Sequence, residues 1–350
     1  MNTEGRALEL IERVRAKPLR FRDERITMAH GAGGKATQTL IEGLFAPAFK
    51  LTDLADAGAV DGLALTTDSF VVKPLRFAGG SIGDLAVNGT VNDLAVAGAR
   101  PLALALSLVL EEGLAADELR AEVEAIAAAA AAAGVDVITG DTKVVERGKC
   151  DGMYITTTGL GRSDPRASLS PGSLSPGDRV LVSGAVGEHG TAVMLARGEF
   201  ELDAPVASDT RSLWPAVDAL LEASGPSLRA MRDATRGGVA SVLNELARAS
   251  GVGIVVREAA VPVAPAVAGA CEILGIDPMY VANEGKLVAF VAPTGAEEAL
   301  AALRAVPGCE QAAEIGEVTS EPQALVLVET AFGGRRVMDL LVGDPLPRIC

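Results

Sequence analysis

The chain has 350 residues, enough for two packed domains of ordinary size, and 49% of them are hydrophobic. It carries 31 Lys and Arg against 46 Asp and Glu, and this net charge of −15 leaves no basic surface for neutralising nucleic-acid phosphates. Met1 to Lys17 is too charged for a signal peptide, and the most apolar stretch, Pro101 to Leu110, is too short to span a bilayer, so we expect a cytoplasmic protein that binds neither nucleic acid nor membrane.

Residues 1–25 are rich in Arg and Glu, and we predict an N-terminal helix or mobile arm whose role the sequence does not indicate. Beyond this arm, strand-like and helix-like segments alternate, which favours an α/β or α+β fold over a helical bundle or a β-sandwich. We predict strands over 63–72, 102–110, 135–139, 179–183 and 253–256, and helices over 37–44, 82–97, 117–133 and 239–249.

A Ser-, Pro- and Gly-rich stretch, residues 162–178, separates the two halves of the chain and predicts a domain boundary. We therefore predict an N-terminal domain over 26–165 and a C-terminal α/β domain over 175–335. Residues 336–350 contain two prolines that disfavour a helix, so we predict a mobile, extended tail that ends in Cys350.

Five aspartates lie at or near the ends of predicted elements: Asp68, Asp84, Asp93, Asp141 and Asp233. Three of them follow predicted strands, where α/β proteins open their functional crevices. The other two belong to the helix predicted over 82–97, in which Asn88 lies one turn from Asp84. Because grouped carboxylates repel one another, we predict that these residues hold Mg²⁺. The alternative is that each aspartate caps a helix or a turn.

Two segments pair glycines with a cation immediately before a predicted helix: His30-Gly-Ala-Gly-Gly-Lys35 and Asp233-Ala-Thr-Arg236-Gly237-Gly238. Exposed backbone N–H groups at such turns bind anions, so we predict phosphate contacts from Lys35, Arg236 and Gly237. Neither segment has the Walker A or Rossmann spacing. Taken alone, both patterns also fit ordinary turns.

The four cysteines show no CxxC spacing, which argues against a zinc site or a disulfide framework. Cys350 is the last residue and follows Pro345 and Pro347. A thiol at the end of an extended segment can travel between sites, and a prenylation signal would place the cysteine four residues from the end. We predict that Cys350 carries the substrate. An inert chain end is the alternative.

Further motifs complete the pattern: Thr67-Asp-Ser-Phe-Val-Val72, Gly83-Asp-Leu-Ala-Val-Asn88, Asn92-Asp-Leu-Ala-Val96, Gly140-Asp-Thr-Lys143, Gly187-Glu-His-Gly190, Asn283-Glu-Gly-Lys286 and Pro347-Arg-Ile-Cys350. Over roughly residues 26–350, the chain resembles the HypE family of hydrogenase maturation proteins. The internal motifs also mark the wider superfamily of aminoimidazole ribonucleotide synthetase, selenophosphate synthetase and thiamine monophosphate kinase. The terminal Pro-Arg-Ile-Cys is the feature specific to the HypE family.

This resemblance implies a two-domain aminoimidazole ribonucleotide synthetase-like fold whose N-terminal domains pair their sheets in a homodimer, with the nucleotide site near the interface. It implies that the carbamoyltransferase HypF places a carbamoyl group on Cys350. The chain then uses ATP and Mg²⁺ to dehydrate this group to a thiocyanate. The cyano group passes to iron held by the HypC–HypD scaffold, for the active site of NiFe hydrogenase.

The resemblance also implies roles for single residues. By motif match, it places Mg²⁺ and ATP on the five aspartates. The other implied roles are nucleotide contact for Asn88 and Thr142, proton removal for Glu284, charge neutralisation for Lys143, and closure over the phosphates for His30 and Lys35. The sequence also allows Glu284 to be an ordinary ion-pair residue and His30 to be a turn residue. His189 is interpreted as structural.

Two other functions stay open at the level of the sequence. A small-molecule kinase or synthetase, such as a selenophosphate synthetase, would be favoured by a reactive cysteine near the loop lysine, but this loop has Ala32 and Gly33. A non-catalytic carrier that only presents the Cys350 thiol would need no nucleotide site. The five aspartates and the two glycine loops argue against such a carrier.

Overall fold

The computed structural model describes residues 19–51, 54–198 and 204–343. Its strands are β1 (Gly58–Val60), β2 (Leu63–Phe70), β3 (Arg76–Phe77), β4 (Gly80–Ser81), β5 (Ala99–Glu111), β6 (Asp136–Val145), β7 (Met153–Ser163), β8 (Arg179–Val182), β9 (Leu228–Asp233), β10 (Gly253–Arg257), β11 (Leu287–Val291), β12 (Ala313–Thr319), β13 (Val326–Glu329) and β14 (Arg335–Met338). Its α-helices are α1 (Lys35–Leu40), α2 (Ile82–Val96), α3 (Ala116–Ala133), α4 (Glu188–Ala196), α5 (Trp214–Ser224), α6 (Gly238–Ser250), α7 (Pro265–Leu274) and α8 (Ala296–Arg304). The predicted mixed α/β fold is confirmed.

The N-terminal half contains a five-stranded sheet in the order β1-β2-β7-β5-β6. Only β5 and β6 pair in parallel. One face, the inner face, packs against α2 and α3. Strand β2 shows the two faces in its alternation: Thr66 and Phe70 point inward and are buried, whereas Leu63 and Leu65 point outward and are 40% and 54% exposed. None of the described helices therefore covers the outer face of this sheet at Leu63 and Leu65.

Helix α2 lies between the N-terminal sheet and the C-terminal half. The prediction over 82–97 is confirmed, and nearly every side chain of the helix is buried because it contacts α3, β2, β7, β9 and α5. Gly89 allows this packing, since a Cβ there would lie 2.8 Å from the ring of Phe70. This position also brings Asp93 of α2 close to Asp233, the last residue of β9 in the second domain.

The C-terminal half is a seven-stranded sheet in the order β14-β13-β10-β12-β8-β11-β9. Its pairs are antiparallel except β10 with β13. Alternate residues enter two different cores: Val180 and Val182 pack with α6, whereas Leu181 packs with α5 and α8. Strand β11 is buried on both faces, so this sheet is a central layer. No helix among the described residues is long and apolar enough to cross a membrane.

Two helix ends match their glycine signals. Helix α3 ends at Gly134 with a φ of 69°, and α6 ends at Gly251 with a φ of 66°, which are left-handed conformations that glycine adopts without a Cβ penalty. The helix predicted over 37–44 is longer than expected. A π-helical turn, Ile41–Phe45, and a further α-helical turn, Ala46–Phe49, continue α1.

The structure corrects two boundaries. Strand β6 does not end at Thr139 but runs to Val145, because it stays paired with β5 along its length. Gly140 sits inside the strand, where a Cβ would clash with the carbonyl oxygen of Leu106. The segment predicted as a tail from residue 336 contains most of β14, whose backbone pairs with β13 through Val326↔Met338 and Glu329↔Arg335. This part of the segment belongs to the C-terminal sheet.

Candidate functional site

A cavity of about 810 Å³ lies between the two halves of the chain. Its wall combines the glycine loop before α1, the inner face of β2, the side of α2 that carries Asp93, the end of β9 and one side of α6. The residues that matter for its chemistry are Gly33, Gly34, Asp56, Thr66, Thr67, Asp68, Asp93, Arg232, Asp233, Arg236 and Glu245. Both domains are therefore needed to build it.

Three aspartates form the acidic cluster of this cavity: Asp56, Asp93 and Asp233 each offer a carboxylate oxygen, and these oxygens lie within 4.8 Å of one another. Thr66 Oγ1 donates to Asp93 Oδ2 at 2.8 Å and also contacts the carbonyl oxygen of Asp56 at 2.8 Å. The Arg232 guanidinium donates to the carboxylate of Asp56 and to the carbonyl of Leu54. The cluster thus contains two aspartates that the sequence analysis singled out, Asp93 and Asp233, and a third, Asp56, that it did not.

The carboxylates of the acidic cluster repel one another in a buried setting. Burial, with Asp56 next, raises the pKa of Asp233 to about 8. Burial, followed by the charges of Asp233, Asp56 and Asp68, raises the pKa of Asp93 well above its ordinary value. Burial also raises the pKa of Asp56, although Arg232 opposes this shift. One guanidinium faces several carboxylates, and oxygen ligands at this spacing fit Mg²⁺.

Glu284 lies beside the acidic cluster. It is 3% exposed, and its Oε1 has no hydrogen-bond partner among the described residues. Its Oε2 lies 3.8 Å from the position of a Cβ on Gly89, a residue that lines the cavity. Burial, followed by the charges of Asp233, Asp68 and Asp209, raises its pKa well above the ordinary value. The carboxyl group thus lies next to the cavity-lining residue Gly89, and its Oε1 can accept or donate a proton.

The two glycine-rich segments pack against each other. Gly33 has a φ of 75°, and a Cβ there would lie 2.7 Å from the carbonyl oxygen of Arg236. In return, Arg236 Nη1 donates to the carbonyl of Gly31 at 3.0 Å, and Ser241 Oγ donates to the carbonyl of Gly33 at 3.0 Å. The sequence predicted two separate phosphate-binding loops. In the structure the two loops together form one rim of one cavity.

The last described part of the chain docks on the same rim. The Lys35 amide donates to the carbonyl of Leu341 at 3.0 Å, and Lys35 Nζ pairs with Asp339 at 2.6 Å. The Tyr280 hydroxyl donates to the carbonyl of Asp339 at 2.8 Å. The segment that leads to the terminus is therefore held beside the cavity. Cys350 itself lies outside the described residues.

His30 is placed behind this rim rather than on the cavity wall. It is buried, its Nε2 lies 3.0 Å from Asp23 Oδ2, and its Nδ1 contacts the amide and hydroxyl of Thr27, both at 3.0 Å. The ring of Phe21 packs edge-on at 5.7 Å. These contacts are those of a residue that fixes the start of the glycine loop. The predicted catalytic role of His30 stays a prediction.

The other predicted residues do not reach the acidic cluster. Asp84 accepts a hydrogen bond from Ser81 at 3.1 Å, and Asn88 donates to Thr210 at 3.2 Å. The Gly-Asp-Thr-Lys motif lies on β6 at the edge of the sheet, where Asp141 pairs with Lys143 at 2.7 Å; Thr142 beside them is exposed. The hydrogen bond from Lys143 lowers the pKa of Asp141.

Asp141 lies on the outer face of the sheet, whereas the acidic cluster lies on the inner face. It is in register with Ser107 on β5, and it lines a hollow of about 230 Å³ with Thr156 and Thr158. The predicted five-aspartate metal site is thus divided by the thickness of the sheet. Asp56 was missed because it stands in an irregular segment before β1, where no local motif marks it.

Comparisons with known proteins agree with this architecture. Residues 54–163 match the N-terminal domain, and residues 175–328 the C-terminal domain, of the family of AIR synthase related proteins. The carbamoyl dehydratase HypE of Rhodobacter capsulatus is 49% identical over 339 residues, covering 94% of this chain and 99% of that protein.

Two solved structures are similar over most of the chain. HypE in its complex with HypF has a TM-score of 0.83 at 44% identity and covers 86% of this chain and 99% of that one. HypE in complex with ATP has a TM-score of 0.79 at 43% identity and covers 93% of this chain and 100% of that one. The chain belongs to the HypE family of carbamoyl dehydratases.

Proposed function

We propose that this chain is an ATP-dependent dehydratase that converts an S-carbamoyl group on its own Cys350 to a thiocyanate. Membership of the HypE family supports this activity, since the relatives carry the name carbamoyl dehydratase and one was solved with ATP. The single observation that carries the proposal is the arrangement of one cavity. The acidic cluster lines this cavity, the buried carboxyl of Glu284 lies next to its lining residue Gly89, and the last described part of the chain docks on its rim.

The geometry allows Cys350 to be a substrate of the same chain. Leu341 is fixed on the glycine loop, and Cys350 is nine positions further along the chain (350 − 341 = 9). An extended segment of that length spans about 30 Å. The terminal thiol is therefore within reach of the acidic cluster without any movement of β14. A carrier that only presented a thiol would not need this cavity.

The proposed reaction removes the elements of water from the carbamoyl group. The carbonyl oxygen attacks the γ-phosphorus of ATP, so an O–P bond forms and the bond from phosphorus to the ADP oxygen breaks. The nitrogen then loses its two protons in turn, the C–O bond breaks, and phosphate leaves with the oxygen. A nitrile remains on sulfur. Phosphorylation is needed because an amide oxygen is otherwise a poor leaving group.

Each group of the cavity has a proposed part in this sequence. Asp56, Asp93 and Asp233 hold Mg²⁺, which when bound neutralises the phosphate charge. Arg236 and the backbone of the loop at Gly237 bind and orient the triphosphate, and Asp68 would contact it through Mg²⁺. Glu284 takes a proton from the carbamoyl nitrogen, because burial raises the pKa of its carboxyl group and makes the ionised form a strong base, and its Oε1 has no partner among the described residues.

We also propose a homodimer in which the outer faces of two N-terminal sheets pair. The exposed side chains of Leu63 and Leu65, on the uncovered face of β2, support this pairing. Asp141, Thr142 and Lys143 lie on the same sheet and would then border the nucleotide site of the partner subunit. In this arrangement Lys143 neutralises charge on the γ-phosphate, as the family resemblance implies.

The proposed partners follow from the family. The relative solved with HypF supports HypF as the source of the carbamoyl group. Transfer of the cyano group to iron on a HypC–HypD scaffold, and a cytoplasmic location, complete the proposal. Mass spectrometry of the C-terminal peptide tests it: HypF should add the elements of HNCO to Cys350, and MgATP should then remove the elements of water. Substrate-dependent ATP turnover that survives Cys350→Ala would contradict it.

A further inference from the structure

Residues 206–213 run between the two domains, and we call this segment the interdomain strap. The Ser208 amide donates to the carbonyl of Ala78 at 2.7 Å. The Leu213 amide donates to Asn92 Oδ1 at 2.7 Å. Both acceptors belong to the N-terminal domain, so the strap is fixed there at two points.

The strap also holds the backbone around Glu284. Asp209 Oδ1 accepts from the Glu284 amide at 3.2 Å, and Asp209 Oδ2 accepts from the Gly285 amide at 3.1 Å. The Asp209 side chain is 3% exposed. Position 285 requires glycine, because a Cβ there would clash with the carbonyl oxygen of Asp209. One buried carboxylate thus grips the two peptide N–H groups at Glu284 and Gly285.

A buried cation completes the grip. Lys286 Nζ pairs with Asp209 at 3.1 Å and with Glu188 at 3.0 Å, and its side chain is 6% exposed. A buried ion pair is a poor source of stability, because desolvation of the charges offsets their attraction. Its usefulness lies in geometry, since a satisfied buried network holds one arrangement.

The other end of the same motif is fixed to the acidic cluster. Asn283 Nδ2 donates to the carbonyl of Ala234 at 2.9 Å, next to Asp233. Asn283 Oδ1 accepts from the Gly187 amide at 2.7 Å. The motif from Asn283 to Lys286 is therefore held on both sides of Glu284. Two residues of the motif that begins at Gly187 contact this segment: the Gly187 amide donates to Asn283, and Glu188 pairs with Lys286.

We propose that Asp209 is a positioning residue for Glu284. The inference rests on the proposed role of Glu284 as the base. Glu284 Oε1 has no hydrogen-bond partner among the described residues, so its direction is set by the backbone that carries it. That backbone is held by Asp209. Misplacing a reacting group by about 1 Å can cost roughly 100-fold in rate. Asp209 thereby couples the relative placement of the two domains to the placement of the base.

Asp209→Asn tests the proposal in the full-length protein, with Cys350 carbamoylated by HypF. We expect the single-turnover dehydration rate to fall by about 10- to 100-fold while the KM for ATP changes less than about threefold. Adding Asp209→Asn to Glu284→Gln should cause no further loss. Asp164→Asn is the matched control, because Asp164 also accepts a backbone N–H, from Arg166 at 2.9 Å, and pairs with its guanidinium.

The possible failures are distinguishable. Normal dehydration by Glu284→Gln would refute the base itself, whatever Asp209→Asn does. An inactive Glu284→Gln together with an unchanged rate in folded Asp209→Asn would refute the positioning role alone. Equal losses in kcat and in ATP affinity for Asp209→Asn would also refute it, as would an equal loss in Asp164→Asn.

A second variant covers the case in which Asp209→Asn does not fold. Glu188→Gln removes the outer carboxylate from Lys286, and that carboxylate is 29% exposed. We expect a twofold to fivefold fall in the dehydration rate with an unchanged KM for ATP. An unchanged rate in that variant would overturn the proposal.

Discussion

Carboxylates lie against both faces of the N-terminal sheet, but those on one side are largely buried and those on the other are exposed to solvent. On the inner face, Asp93 and Asp233 are enclosed with Asp56, and burial raises the pKa of all three. On the outer face, Asp141 is 61% exposed, and its hydrogen bond from Lys143 lowers its pKa. The same residue type is thus a concentrated source of repulsion on one face and a solvated ion pair on the other.

This contrast explains why the inner face suits the chemistry. Closely spaced buried carboxylates gain most from a divalent cation, because the cation removes both the desolvation cost and the repulsion. A solvated pair such as Asp141–Lys143 gains little in the single chain. It would become important only where another surface covers it, as in the proposed dimer.

The largest effect is expected at Glu284, which is buried beside the acidic cluster on the inner side of the sheet. Glu284→Gln should leave carbamoylation of Cys350 intact and lower the rate of dehydration by roughly 100- to 10,000-fold, the usual contribution of a positioned base. Mass spectrometry of the C-terminal peptide reads both steps. Glu118→Gln, at an exposed position in the first turn of α3, is the control. Dehydration at the wild-type rate would remove Glu284 from the mechanism.

A smaller effect is expected for a member of the acidic cluster. Asp93→Asn removes one charge while keeping the acceptor for Thr66, so the metal-free protein should melt at a higher temperature. Its apparent affinity for Mg²⁺ should fall at least about tenfold. Thermal melting and Mg²⁺ titration of the dehydration rate measure the two changes. Asp136→Asn, on exposed β6, should do neither. A metal-free protein that is less stable would indicate a purely structural role for Asp93.

Local features of the sequence predicted the elements well, and distance along the chain limited the prediction of the site. Gly134 and Gly251 end their helices by a local conformational rule, so the ends of α3 and α6 could be found from sequence. Asp56 could not be found, because its position in the site depends on its ion pair with Arg232, which is far away in the sequence. Pairing of β6 with β5 overrode the stop that Gly140 indicated.

The motif resemblance identified candidate site residues but not the face of the sheet that each one occupies. Asp68 and Asp141 both seemed to follow strands, and only the register of the sheet shows that they point to opposite sides. The hydrogen bond from the Glu284 amide to Asp209 could likewise not be predicted, since no sequence motif marks the interdomain strap.

The pH dependence of stability should sharpen the contrast further. The pKa of Asp233 is about 8 in the folded protein, against an ordinary value of 3.8. Between these values the folded state holds a proton that the unfolded chain has lost, so the contribution of Asp233 to stability falls as pH rises from about 4 to 8. Melting temperatures in EDTA should show this fall, and Mg²⁺ should reduce it. Asp233→Asn should make the slope of the profile shallower, and the raised pKa values of Asp56, Asp93 and Glu284 should account for the slope that stays. An equal slope in that variant would place the titrating group elsewhere.

The smallest effect is expected on the outer face. Asp141→Asn removes a solvated carboxylate, so the melting temperature of the protein should not change. If two sheets pair as proposed, the KM for ATP should nevertheless rise by up to about tenfold, because the lost group borders the nucleotide of the partner subunit. Sedimentation velocity confirms that the variant is still a dimer. An unchanged KM in a dimeric variant would confine the nucleotide site to the inner face and leave the Asp141–Lys143 pair as ordinary surface charge.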